Sequence, residues 1–495
     1  MAPLLTEGEF QLLIVADDLT GACDSGLALQ QRGLPTEVQL SPFVVHSSIS
    51  GSRAVAFAAE SRNVPEAEAV RRQQVAYAAA AKQAVGTTTV VWYKKIDSLL
   101  RGHPVAELKA MLSTSSQWAV LAPALPSAGR TTVGGYQLLN GLPVTCALAP
   151  DTHAPCPNAH LPSLLTTHDL AHGCVALADL SLGTAKVAAL MQQAVGGGAK
   201  CVVCDASTDN ELEVIANAAC MAAKTLGSLP LFVGTSGLAA ALPKALGVGT
   251  LKQTQAVPGR WSPSAGAPVV VVSGSAQELT KRQLEHLNEV EVVRGCDNKD
   301  QSAQPPNQCE PGGAMPTVLL ADGADGGPQA AAIAVSKSKS ALLPCNSTCT
   351  GPALGAVVTG GETASLLLQV LEATSLRMVG QVSPAVPLLR VSGGPCDGMP
   401  LVTKSGALGE LSAFSDAARA IRNLGDVFVN GALVKPSSPS ANVDPGSEGL
   451  PLLAITMGDP CGVGPEIIAK VLAGSARLVH MDLSLNLTSP NRTVP

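Results

Sequence analysis

The sequence predicts an α/β protein: two doubly wound, mainly parallel-sheet domains with a cleft between them, followed by a short C-terminal βα fragment. Three observations carry that expectation. Apolar runs of strand length alternate with stretches of helix length from Gln11 to Ala124, as in consecutive βαβ units. Turns rich in glycine and acidic residues follow those runs, where open α/β sheets place their ligands. Hydrophobic residues make up 46% and charged residues 14% of the 495 positions. That composition is globular, and the length exceeds the ~100–200 residues of a single domain.

Element by element, QLLIVA reads as a strand, DDLTGA as a turn with a helix start, CDSGLALQQR as helix, and Gly33 as a stop before TEVQL. The alternation continues with AVAFAA, a helix around Glu66 to Ala81, TTVVWY, a helix around Val105 to Leu112, and WAVLAPA. The first domain is placed at 10–248. Residues 249–267 lose apolar periodicity and gain Pro, Gly and Ser, which marks a linker, and PVVVVSGS opens a second α/β domain at 268–425. Within it, Asp297–Gly313 and Ser336–Gly351 are polar and aperiodic and read as surface insertions without chemistry. A second linker, 434–449, precedes a fragment at 450–495 that reads strand, Gly-rich turn, helix. So few residues, about forty, cannot bury a core of their own.

The bulk properties exclude several classes of function. A net charge of −6 and 2% aromatic residues argue against nucleic acid, which needs a basic stripe with interleaved rings. No run approaches the ~18 apolar residues of a membrane span. Met1 to Glu9 lack the basic start and apolar run of a signal peptide, so a cytoplasmic protein is expected. The thirteen cysteines include one CxxC, Cys201 to Cys204, inside the strand-like CVVCD without a second pair; they read as structural thiols rather than a metal centre.

The candidate chemistry lies at strand ends. Asp17 and Asp18 follow the first strand and Asp24 lies one and a half turns into the helix. They are ligand candidates by position, or one of the first two simply caps the helix, worth ~0.3–1 kcal/mol. YKKIDSLLRG gathers Lys95, Asp97, Ser98 and Arg101 after another strand, a mixture suited to a polyhydroxy carboxylate or to a solvated strand end. Ser61–Arg62 and Arg130–Thr131–Thr132 add two further polar tips. In the second domain, Ser273–Gly274–Ser275 and Thr359 to Thr363 each join a β-branched strand to a helix. Such loops can cradle phosphate on backbone N–H groups without a Walker lysine, and KSGALG at Lys404 to Gly409 adds a third.

In order, Ala16–Ala22 (ADDLTGA), Lys95–Gly102, Ala122–Thr132, Gly234–Ala239, Ser273–Ser275, Thr359–Thr363 and Lys404–Gly409 resemble the successive motifs of the four-carbon acid sugar kinases. The resemblance implies a sugar-acid site in the N-terminal domain and ATP with Mg²⁺ in the C-terminal domain. The γ-phosphoryl group would pass to a terminal hydroxyl of a threonate- or erythronate-type acid. It assigns Asp18 or Asp17, with Asp97 in reserve, as catalytic base. Asp24, Ser61, Arg62, Lys95, Ser98, Arg101 and Arg130 would hold the acid, and Ser273, Ser275, Gly360, Gly361, Glu362, Thr363 and Gly406 the nucleotide. Two positions depart from the family pattern: Ala58 stands where an acidic residue is usual, and GALG (Gly406–Gly409) where GGFG is. The segment Ile455–Ile467 resembles the opening of 4-hydroxythreonine-4-phosphate dehydrogenases, and its sequel carries one histidine, His480, in no matching motif. It reads as a truncated fragment without dehydrogenase activity. A bifunctional kinase–dehydrogenase and a catalytically degenerate ATP- or sugar-acid-binding protein are the competing expectations; oligomeric state is left open.

Overall fold

The computed structural model describes residues 10–40, 53–84, 89–114, 118–147, 156–248, 261, 263, 267–275, 278–287, 292–294, 318–322, 328–343, 353–383, 386–404, 406 and 409–429. The 434–449 linker, the 450–495 fragment with its dehydrogenase-like motif, most of the 249–267 linker and the Asp297–Gly313 insertion lie outside the described residues. Met1–Leu433 forms one compact unit.

In chain order the strands are β1 (Phe10–Ala16), β2 (Thr36–Gln39), β3 (Ala54–Ala58), β4 (Thr89–Lys95), β5 (Ala119–Ala122), β6 (Arg130–Val133), β7 (Tyr136–Leu139), β8 (Leu142–Pro143), β9 (His172–Val175), β10 (Cys201–Cys204), β11 (Leu231–Gly234), β12 (Val269–Ser273), β13 (Val292–Arg294), β14 (Val318–Asp322), β15 (Gly355–Thr359), β16 (Ser375–Ser383), β17 (Val386–Ser392) and β18 (Pro400–Lys404). β6, β7 and β8 form a small sheet; the other fifteen form one sheet in the order β13-β14-β12-β15-β18-β17-β16-β2-β3-β1-β4-β11-β5-β10-β9. The central strands are buried along their whole length, as in β1 and β12. Strands covered by helices on both faces need unbroken apolar runs, which is what QLLIVA and VVVV are. The expected α/β class is therefore observed, and Cys201 and Cys204 lie buried within β10.

Helices α1 (Leu19–Gln31), α2 (Glu66–Ala81) and α3 (Pro104–Leu112) fall where the periodicity places them. Ser336–Gly351 does not read through as a loop: the helix Pro328–Leu342 covers its first seven residues. Its buried Ala331, Ala334, Val335, Ser338 and Leu342 recur at helical spacing, which outweighs the polar composition of SKSKS.

The two halves share the large sheet. β16 pairs antiparallel with β2, setting Ser375 opposite Gln39 and Arg377 opposite Glu37, and buried Glu37 accepts a hydrogen bond from the Ser375 hydroxyl. Across this seam the parallel strands of one half run against those of the other. A flat sheet would put their carboxyl ends on opposite edges. Six strand steps separate β1 from β15, and a twist of roughly 20–25° per step accumulates to about 120–150°, which turns the two sets of carboxyl ends toward each other.

Candidate active site

The N-terminal half of the site stands on three adjacent parallel strands, β3, β1 and β4. Asp17 follows β1 and is buried, and Arg62 clamps it with Nε to Oδ2 and Nη2 to Oδ1, both at 2.9 Å. Burial alone would raise the Asp17 carboxyl, but the Arg62 guanidinium, with Lys95 and Lys94, holds it below its ordinary value. Asp18 is differently placed. Its Oδ1 accepts from Gly21 N at 2.7 Å as the α1 cap, and its Oδ2 accepts from Arg62 Nη1 at 2.5 Å.

The Asp97 carboxylate accepts a second fork, Arg101 Nε at 2.8 Å and Nη2 at 3.0 Å, and lies 3.8 Å from Arg62 Nη2. Burial opposes its charge, yet Arg62 and Arg101 hold it well below the usual carboxylate range. Arg130 on β6 joins this cluster, feeling both Asp97 and Arg101, with its own basicity lowered by burial. The half-buried Ser98 offers its carbonyl to Gln137 Nε2 at 2.8 Å, which ties the small sheet to the Asp97 loop. Lys95 is buried and reaches the Ile96 carbonyl at 2.8 Å. A β-carbon on Gly21 would stand 2.7 Å from Asp18 Oδ1 and 2.8 Å from Lys95 Nζ, so glycine there lets cation and carboxylate close over the helix start.

Asp24 is raised to about 7, by burial first and by the charge of Asp18 after the opposing Lys95. Its Oδ1 is buried without a hydrogen-bond partner among the described residues. Ser61 is not brought to the open site: its hydroxyl is fully buried and accepts from Gln73 Nε2 at 3.0 Å. Behind it, Lys94 and Glu107 form a buried pair at 2.6 Å that the sequence reading did not single out.

The second half of the site stands on β12, β15 and β18, again neighbouring and parallel. Their carboxyl ends carry Ser273–Ser275, Thr359–Thr363 and, after β18, Lys404 and Gly406, so the three strand ends lie side by side. A side chain on Gly274 would overlap Thr363 Oγ1, so the first two loops touch. The buried hydroxyls of Ser273 and Thr359 have no partner among the described residues. Gly360 precedes the helix Gly361–Val370 with φ 96 and no side-chain cap, leaving the first N–H groups of that helix to a ligand. Glu362 is exposed in its first turn and Thr363 is buried. The third loop is held from the helix Glu278–His286: Thr280 Oγ1 donates to the Gly406 carbonyl at 3.0 Å, and Gln283 Nε2 donates to Gly409 O at 2.9 Å. Neither residue was singled out by the sequence; polar side chains buried on a short helix were the available signal. Lys404 is buried, which lowers its ammonium to about 8.

The two halves meet at the helix starts. A β-carbon on Gly361 would lie 3.2 Å from Thr20 Oγ1 and 3.6 Å from Asp18 Oδ2. The uncapped start of the helix Gly361–Val370 thus faces the Asp18 carboxylate, which accepts from Arg62. Among the described residues no helix is long and apolar enough to cross a membrane.

Known proteins are similar to this chain in sequence and in fold. A profile of the sugar-binding N-terminal domain matches residues 12–242, and one of the nucleotide-binding C-terminal domain matches residues 328–414. A D-threonate kinase of Cupriavidus necator is 30% identical over 433 residues, 83% of this chain and 97% of the relative. A D-threonate kinase of Salmonella typhimurium is 29% identical over 82% of this chain and 97% of its own. A 3-oxo-tetronate kinase of the same organism is 26% identical over 82% and 98%. The crystal structure of a Haemophilus influenzae protein shares the fold, with TM-score 0.62 and 23% identity over 83% of this chain and 100% of that one.

Proposed function

The chain belongs to the four-carbon acid sugar kinase family, and from that membership we propose that it transfers the γ-phosphoryl group of ATP to the terminal hydroxyl of a four-carbon sugar acid, D-threonate first among them. It is a phosphotransferase with an alcohol group as acceptor. The observation that carries the reading is the approach of Gly361 to Asp18, which sets the donor loop against the acid site.

Arg62, Lys95, Arg101 and Arg130 supply the positive charge that a carboxylate substrate seeks, while Asp17 and Asp97 each fix one guanidinium by a two-pronged bond. Asp18, held by one bond from Arg62 rather than a fork and facing Gly361 through Oδ2, is the proton acceptor in this reading. The substrate oxygen bonds to phosphorus as its proton passes to Asp18 Oδ2. The bond from phosphorus to the β–γ bridging oxygen breaks, and the electron pair leaves with ADP. The N–H groups of Gly361–Thr363 and the Ser273 and Thr359 hydroxyls, without partners among the described residues, fit the phosphates. Mg²⁺ would be held chiefly by phosphate oxygens and water, would neutralise the charge on the phosphates, and would leave Asp18 to take the proton.

The test is product analysis. Mg-ATP is incubated with D-threonate, D-erythronate, L-threonate or 3-oxo-tetronate, and the product is read by phosphorus–carbon NMR. One acid is expected to give ADP and a phosphomonoester on its terminal carbon. ATP binding without ADP release with any acid would instead support a degenerate binding protein.

A further inference from the structure

Glu60 lies between β3 and Arg62 in the left-handed region, φ 50, which a non-glycine residue enters at a cost. Its backbone is fixed there by Arg72 Nη1, which donates to the Glu60 carbonyl at 2.7 Å. The side chain then spans the two halves of the site. Glu60 Oε1 accepts from the Leu19 N–H at 3.1 Å and from the Ser365 hydroxyl at 3.0 Å. Leu19 is the residue after Asp18, at the start of α1. Ser365 is in the first turns of the helix that begins at Gly361, and the two bonded side chains are 305 positions apart in the chain. One carboxylate oxygen therefore ties the helix start that carries the proton acceptor to the helix start that cradles phosphate.

We propose that Glu60 is a positioning residue for phosphoryl transfer, its carboxylate setting the separation between Asp18 and the donor loop through Leu19 N–H and Ser365 Oγ. The inference rests on the kinase reading above. Alignment is what such a tie controls, and a misplacement of about 1 Å costs on the order of 100-fold in rate. Both bonds use the oxygen as an acceptor, which an amide oxygen serves equally well. Burial, with the neighbouring charge of Asp18, raises the Glu60 carboxyl to about 7, in keeping with a role that does not depend on its negative charge.

The experiment compares kcat and both KM values for wild type, Glu60→Gln, Glu60→Ala, Ser365→Ala and the double alanine variant, with melting curves as a folding control. Glu60→Ala and Ser365→Ala are expected to lower kcat by about 10–100-fold with both KM values nearly unchanged. Glu60→Gln should restore the rate to within about threefold, and the double variant should lose no more than Glu60→Ala, because one shared bond is removed once. Should Glu60→Ala fail to fold, Glu60→Gln and Ser365→Ala still decide the matter. A Glu60→Gln rate as low as that of the alanine variant, a Ser365→Ala rate equal to wild type, or additive losses would overturn the proposal. Wild type without turnover on any acid would remove the kinase reading and this proposal with it, a result distinct from variants that turn over as wild type does.

Discussion

Asp17 and Asp18 are adjacent in sequence, and their surroundings separate them. The first is buried against both prongs of Arg62; the second caps α1 and faces the helix start at Gly361. Asp24 lies beyond them, held toward its neutral form by burial, and a stability effect follows. A carboxyl whose folded value is raised stabilises the fold at low pH, and that contribution is lost as pH rises from the ordinary 3.8 through about 7. Thermal melts should therefore show Asp24→Asn losing less stability than wild type between pH 5 and pH 8; Glu60, also raised, retains a share of the slope in both proteins. Gly21→Ala is expected to cost about 100-fold in kcat, measured by ADP release, because the new methyl must displace Asp18 or Lys95. Much of this cluster was legible: Arg62, Lys95, Asp97 and Arg101 lie close to Asp17 and Asp18, and Arg130 lies beside Asp97 and Arg101. Which aspartate caps and which is clamped was not, since a strand end followed by a helix start suits either role. Ser61 illustrates the same limit, a polar residue at a strand tip whose hydroxyl turns inward to Gln73. Glu60 escaped notice because one of its two partners, Ser365, is contributed by the far half of the chain.

At the scale of elements, glycine and hydroxyl residues after β-branched runs marked the loops at the ends of β12 and β15, and their adjacency follows from parallel pairing. What supports the third loop was hidden, because Thr280 and Gln283 act across 126 residues. Losing the bond from Thr280 to the Gly406 carbonyl should loosen that loop by the worth of one hydrogen bond, about 1 kcal/mol. Thr280→Val is accordingly expected to raise the KM for ATP about fivefold while leaving that for the acid unchanged, as steady-state kinetics with each substrate varied would show. The helix over Ser336–Leu342 was misread because its sequence is polar, with Ser336 and Lys339 exposed, whereas Ala331, Ala334, Val335, Ser338 and Leu342 keep helical spacing on the buried face. The β16–β17 hairpin, which continues the sheet to β2, left no sequence signal that distinguished it from further βαβ units.

For the whole molecule, the antiparallel seam between β16 and β2, compounded with sheet twist, turns two sets of strand ends toward one site. The compact unit Met1–Leu433 holds every residue assigned here to that site. A chain ending at Leu433 is therefore expected to keep kcat/KM within about twofold of the full chain, a comparison that also measures any contribution of the dehydrogenase-like tail. We propose that Asp18 accepts the hydroxyl proton opposite the donor loop, and ADP release by Asp18→Asn with Mg-ATP and the preferred four-carbon acid measures this most directly. A fall in kcat of about 10²–10⁴-fold with ATP affinity retained is expected. Turnover within a few-fold of wild type would contradict it.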